Sequence, residues 1–290
     1  MPHDRRRVGG AGPARPPLPA GWSGHRPSAW LTGLAGYLAV MSLGMAAGAV
    51  AAYRSGQPTI AALFAVTGTG VVHLLAFGSY AWRIPRRTSR SGTLSVASDG
   101  TRGVRFAYSG WPYYLFAGAV GSFALALAAL TALALADANG GVVALPVATA
   151  CLGLALGWVL FTVLRLAPGA VILTPAGIHH RGLTFTYVVP WHAIYAVVAG
   201  WSGTPVIVVK ATPSPDLRLR RYAGRIGPRE LRLVPFLVVR AYWLATDPVL
   251  VYHALSFYYE HPESRAELST SEALDRIRTG RGLGSGRSSP

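Results

Sequence analysis

The sequence predicts a multi-domain membrane protein: a four-helix transmembrane bundle followed by a small α+β unit of antiparallel strands. Three observations predict it. Charged residues make up 13% of the chain, about half the roughly 25% of a soluble globular protein. The deficit falls in four windows, 29–53, 58–82, 113–136 and 141–164, none of which holds Asp, Glu, Lys or Arg. Behind the last window the residues turn β-branched and aromatic, with turn residues between, as in VILTPAGIHHRGLTFTYVVPWHAI from Val171 to Ile194.

Each window exceeds the roughly 20 residues that a helix needs to cross hydrocarbon. In lipid the backbone must satisfy its own hydrogen bonds, and helices do so within one segment. Before the first span, residues 1–28 form a basic tail rich in Pro, Gly and Arg without periodicity, expected to be disordered. Ala49-Val50-Ala51 resembles a signal cleavage site, but the apolar run before it exceeds the 7–15 residues of a signal core.

Orientation follows from arginine. Arg5, Arg6, Arg7, Arg15 and Arg26 precede the first span, and Arg83, Arg86, Arg87, Arg90, Arg102 and Arg105 lie in the loop 83–112. The two short connections hold only Arg54 and Asp137. The positive-inside rule then places both termini and that loop in the cytoplasm of a plasma-membrane protein. Trp30, Tyr80, Trp82, Trp111, Tyr113 and Tyr114 fall at the same interface, where amphipathic rings prefer to lie.

A net charge of +16 would suggest nucleic acid in a soluble chain. Here the arginines face anionic lipid, which rewards each by about 1 kcal/mol. Lipid is the expected partner, and no docking motif for nucleic acid is present.

Gly44/Gly48 and Gly153/Gly157 are GxxxG patterns, and Gly118 and Gly121 lie one turn apart. They serve either packing within the chain or a homo-oligomer face. In the central loop, Thr93–Val96 and Val104–Tyr108 alternate around a turn at Ser98 to Thr101, a hairpin expected to dock on the C-terminal domain.

That domain is expected over 168–279, with strands at Ala170–Thr174, Ile178–Arg181, Leu183–Val189, Val206–Ala211 and the alternating Leu217–Arg220. Asp247 and Pro248 are an N-cap and a first helical residue. A short helix follows from Ser271, with acids early and arginines late. Residues 280–290 form a flexible tail.

The runs ILTPAGIHHRG, VVPWHAIYAVV and GTPVIVV resemble the bacterial pleckstrin-homology-like (PH-like) domain that follows transmembrane helices in envelope proteins. The shared features are Leu173-Thr174 at a strand end, a turn before Gly177-Ile178, and the step Pro190-Trp191-x-x-Ile194. HPESRAEL followed by EALDRIR is similar to the end of an actinobacterial membrane-protein type. The resemblance implies a curled, barrel-like antiparallel sheet closed at one end by a helix. It implies no ligand, because function lives in sites grafted onto folds.

No Walker, GxSxG, HExxH or dinucleotide pattern occurs, so neither an enzyme nor a cofactor is expected. His179 and His180 are adjacent strand residues pointing to opposite faces, which argues against a metal. Two candidates remain. His73 is ionisable and lies inside a span, where such residues are functional suspects; with no intramembrane carboxylate or cation to pair with, a neutral packed histidine is the simpler reading. Arg218, Arg220, Arg221, Arg225, Arg229 and Arg232 crowd one stretch, as a patch for anionic head groups or an acidic protein, or as an ordinary solvated face. The expected function is a membrane anchor presenting a cytoplasmic module that recruits lipid or protein. The alternative is a small transporter or channel-like subunit with a path along His73 and the glycine faces.

Overall fold

The computed structural model describes residues 16–23, 29–81, 92–97, 100–136, 144–222 and 232–283. Trp82, loop residues 83–91, the turn at Asp137 to Gly140, Arg225, Arg229 and residues 284–290 lie outside the described residues.

Among the described residues four helices, α1 (Ala29–Arg54), α2 (Pro58–Ala81), α3 (Gly110–Ala136) and α4 (Ala144–Leu166), are long and apolar enough to cross a bilayer. The chain is a multi-pass membrane protein. Gly56 turns α1 into α2 at φ +74°, a left-handed conformation that favours glycine. Pro58 then opens α2, where its missing N–H costs nothing.

The helices pack as an open row, α1 on α2, α2 on α3 and α3 on α4. Each GxxxG pair is divided by this arrangement. Gly48 faces Phe64 and Gly153 faces Leu127, whereas Gly44 and Gly157 have no neighbour within 4 Å.

Among the described residues nine strands form two antiparallel sheets: β1 (Thr93–Val96), β2 (Arg102–Ala107), β3 (Ala170–Leu173), β4 (Gly177–Arg181), β5 (Phe185–Pro190), β6 (Ile194–Trp201), β7 (Pro205–Ala211), β8 (Arg218–Arg221) and β9 (Leu237–Arg240). The larger sheet runs β1-β2-β3-β4-β5-β8 and the smaller β6-β7-β9. The expected barrel is not closed: β8 returns to β5, and among the described residues no strand of one sheet pairs with the other. The central-loop hairpin supplies two strands of the larger sheet, with β2 pairing β3 from Val104↔Leu173 to Ala107↔Ala170.

The two sheets share one core. Val104, Phe106, Val171, Leu173, Ile178 and Val189 of the larger sheet are buried with Ile207, Val209 and Val239 of the smaller. Each such side chain contributes about 1.5–3 kcal/mol. Helix α5 (Pro248–Glu260) packs on β6. It starts as its sequence dictates, with the Asp247 carboxylate accepting from the Val249 N–H at 2.9 Å.

Strand β2 runs almost directly into α3, and α4 into β3. Side chains seal this junction. Tyr113 of α3 accepts a hydrogen bond from the Gly169 N–H at 2.8 Å, and Phe77 of α2 meets the rings of Tyr242 and Trp243 at 5.8 and 6.1 Å.

The tail expected to lack structure is corrected in part. Residues 16–23 dock on the β unit because Trp22 is buried there, only 2% exposed.

The motif HPESRAEL is architectural. Arg265 donates to the carbonyls of Tyr258 and Tyr259 at the end of α5, at 2.7 and 3.0 Å, and lies over the Trp191 ring. Glu267 accepts from Tyr258 at 2.8 Å and from Arg276 of α6 (Ser271–Thr279) at 2.5 and 2.9 Å. The N-cap of α6 is Thr270, whose hydroxyl accepts from the Glu272 N–H.

Candidate functional site

Strand alternation divides the larger sheet into an apolar and a basic face. One face carries Phe106, Val171, Ile178, Tyr187 and Val189 into the core. The other is assembled by register. Arg105 pairs Ile172, which pairs His179, which pairs Val188, which pairs Arg218. Cross-strand partners share a face, so these five residues form a row across five strands. A second row joins Ala107, Ala170, Arg181, Thr186 and Arg220. Four arginines therefore share one surface, and among the described residues none of them is ion-paired to a carboxylate.

The second row is the one nearer the four apolar helices. Its Ala107 ends the strand that leads into α3, and its Ala170 opens the strand that leaves α4. Arg181 and Arg220 lie two strands apart in it, about 10 Å between backbones. Arg165, in the last turn of α4, lines a groove of about 460 Å³ with Arg181, Ile172, His179, Thr186 and Val188. An adjoining groove of about 850 Å³ reaches Arg218, Arg220 and Tyr222. The Arg220 guanidinium lies 5.3 Å from the centre of the Tyr222 ring, which orients it. Asp216 dilutes the far end and pairs with His192 at 3.3 Å, both well exposed.

The arginines of the sequence cluster are not all together. Arg218 and Arg220 share the basic face, two residues apart on β8. Arg221 is opposite Phe185, on the other parity. Arg232 is exposed in the turn before β9, which belongs to the smaller sheet. Arg225 and Arg229 lie outside the described residues. Conversely, Arg105, Arg165 and Arg181 join the face from stretches that look unremarkable alone. Parity along VRFA, which sets Arg105 opposite Val104 and Phe106, and along IHHR, which puts Arg181 with His179, is the sequence signal for two of them.

His180 points the other way. Its Nε2 is 2.5 Å from the Tyr108 hydroxyl, its ring meets Phe185 edge-on at 5.2 Å, and its Nδ1 is buried without a partner. Burial lowers its pKa to about 4, so it is neutral in the folded protein. Among the described residues no three His, Cys, Asp or Glu side chains gather as a metal site would require.

His73 is a packed histidine. Its Nδ1 lies 2.8 Å from the Thr69 carbonyl one turn back, so Nδ1 carries the proton and donates. The ring lies on Gly118 of α3 and edge-on to Tyr114 at 5.5 Å. A Cβ at Gly118 would come 2.3 Å from His73 Cδ2, so glycine is what admits the imidazole between the helices.

No protein-family model, no curated protein and no solved structure matches the chain. Function is therefore read from this geometry.

Proposed function

We propose that the β unit is a PH-like module held at the cytoplasmic face of the plasma membrane, where its basic face engages anionic lipid head groups. Two antiparallel sheets on one core, followed by α5, support the fold reading. The lipid reading rests on one observation: the row bearing Arg181 and Arg220 is the one closest to where α3 and α4 leave the membrane, with Arg165 beside it.

Tethering makes weak contacts sufficient, because a fixed module meets head groups at high effective concentration. Each arginine near an anionic surface is worth about 1 kcal/mol, and attraction of this kind weakens with salt. The whole protein is the right object for the test, since β1 and β2 come from the loop between spans. In nanodiscs mixing phosphatidylcholine with phosphatidylglycerol, native mass spectrometry counts the retained phosphatidylglycerol. Arg181→Gln with Arg220→Gln is expected to weaken retention about thirtyfold, the equivalent of about 2 kcal/mol. Equal retention by the variant and the parent, at low and high salt, would sink the reading.

A further inference from the structure

The segment before α1 is bound in the way a peptide ligand is bound. Strand β6 is an edge of the smaller sheet, and residues 16–23 lie along it beside α5. Two side chains, Pro19 and Trp22, are buried, while Pro17, Leu18, Ala20 and Ser23 are exposed. A 3-10 turn over Ala20–Trp22 sets the spacing of these anchors, closed by Trp22 N–H donating to the Pro19 carbonyl at 2.9 Å.

The cleft reads the anchors specifically. The Trp22 indole N–H reaches the carbonyls of Gly200 and Val206 at 3.0 and 3.1 Å, a cross-strand pair of β6 and β7. Its ring lies 6.1 Å from that of Tyr252 on α5, and His253 Nε2 donates to the Pro17 carbonyl at 3.1 Å. At Gly21 a Cβ would fall 2.0 Å from the Ala199 carbonyl oxygen, so only glycine fits before the tryptophan. The segment adds no strand to the sheet. It is held by a buried aromatic anchor of the kind that dominates interface energetics.

We infer that the cleft between β6 and α5 is a recognition site for a Pro-x-Gly-Trp peptide, filled in cis by residues 16–23 of the same chain. This stands apart from the lipid reading, since it uses the other sheet and no arginine. Residues 24–28 connect the ligand to α1, and a tether that short gives an effective concentration in the millimolar range. The same segment of a second copy enters only when the cis segment is released.

The test uses the full chain in phosphatidylcholine nanodiscs, with a protease site inserted between Trp22 and α1. The probe is a fluorescent peptide spanning residues 13–23, with a second peptide carrying Trp22→Ala. After cleavage the probe is expected to replace the native segment and to bind at least about tenfold more tightly than to uncut protein, because the tethered competitor is gone. The Trp22→Ala peptide should bind neither form. Three results would overturn the inference: a cut protein that sheds the segment and melts as a whole, one that keeps the segment and never exchanges it, or equal uptake of the Trp22→Ala peptide.

Discussion

The Tyr108 hydroxyl meets His180 Nε2 at 2.5 Å, while the Tyr108 ring stacks on Trp243 at 5.9 Å. This joins the loop between the second and third spans to the strands behind the fourth. It also fixes a neutral imidazole in the heart of the β unit.

Because His180 titrates near 4 when folded and near 6.5 when unfolded, acid favours unfolding. The unfolded chain takes up a proton across that window and the folded chain refuses it. His180's share of stability is thus complete above about pH 6.5 and falls by about 3 kcal/mol as pH drops to about 4. Thermal melts of the purified protein at several pH values check this. His180→Phe should lower stability at pH 7.5 yet flatten the difference between pH 6.5 and 4; parallel curves would refute it.

Gly118 and His73 should be coupled. Gly118→Ala places a methyl in the imidazole and should cost about 1–3 kcal/mol as overpacking. Removing the ring as well, with His73→Ala, should recover most of that cost. A double-mutant cycle on melting temperature measures the coupling, and additive losses would show that the two residues do not compete for space.

Glu267 ties α5 to α6. Burial pushes its carboxyl up, but hydrogen bonds from Arg276 and Tyr258 outweigh that and hold it below the usual carboxylate range. Its contribution is present above the ordinary carboxylate pKa and disappears only as pH falls through the depressed folded value. Glu267→Gln should cost about 1–3 kcal/mol at neutral pH, because Arg276 and Tyr258 lose a charged partner. Denaturant titration at pH 7 and at low pH should show the gap between variant and parent shrinking in acid.

Arg265→Lys should not behave as a conservative change. The guanidinium spans two carbonyls of α5 and covers Trp191 at 4.8 Å. An ammonium cannot reproduce that planar fork, and the loss should be about 1–2 kcal/mol, from a hydrogen bond and the ring contact. Unfolding midpoints of Arg265→Lys and Arg265→Met report it; a lysine variant as stable as the parent would contradict the bonding described.

Much of this architecture is written locally. Uncharged windows announce the spans, Asp247-Pro248 announces α5, and the alternation of Leu217 to Arg220 announces β8. What stays hidden is pairing. Arginine density along the chain points to 218–232, whereas the basic face is created by register that brings Arg105 and Arg181 level with Arg218 and Arg220. The docked tail is hidden for a different reason: its Pro, Gly and Arg content reads as disorder, and one tryptophan overrides it by burial. Sheet closure is equally invisible, since nothing in β8 alone says that it returns to β5.

The pairing of β2 with β3 has a consequence for biogenesis. Ribosomes deliver β1 and β2 before the last two spans exist, and β3 emerges only after both. At about 5–20 residues per second that wait is on the order of 3–12 s. During it a nascent hairpin stands with an open edge, a template for wrong partners. Safe assembly therefore depends on prompt insertion of the third and fourth segments, and mutations that slow their entry into lipid should surface as aggregation of the soluble half.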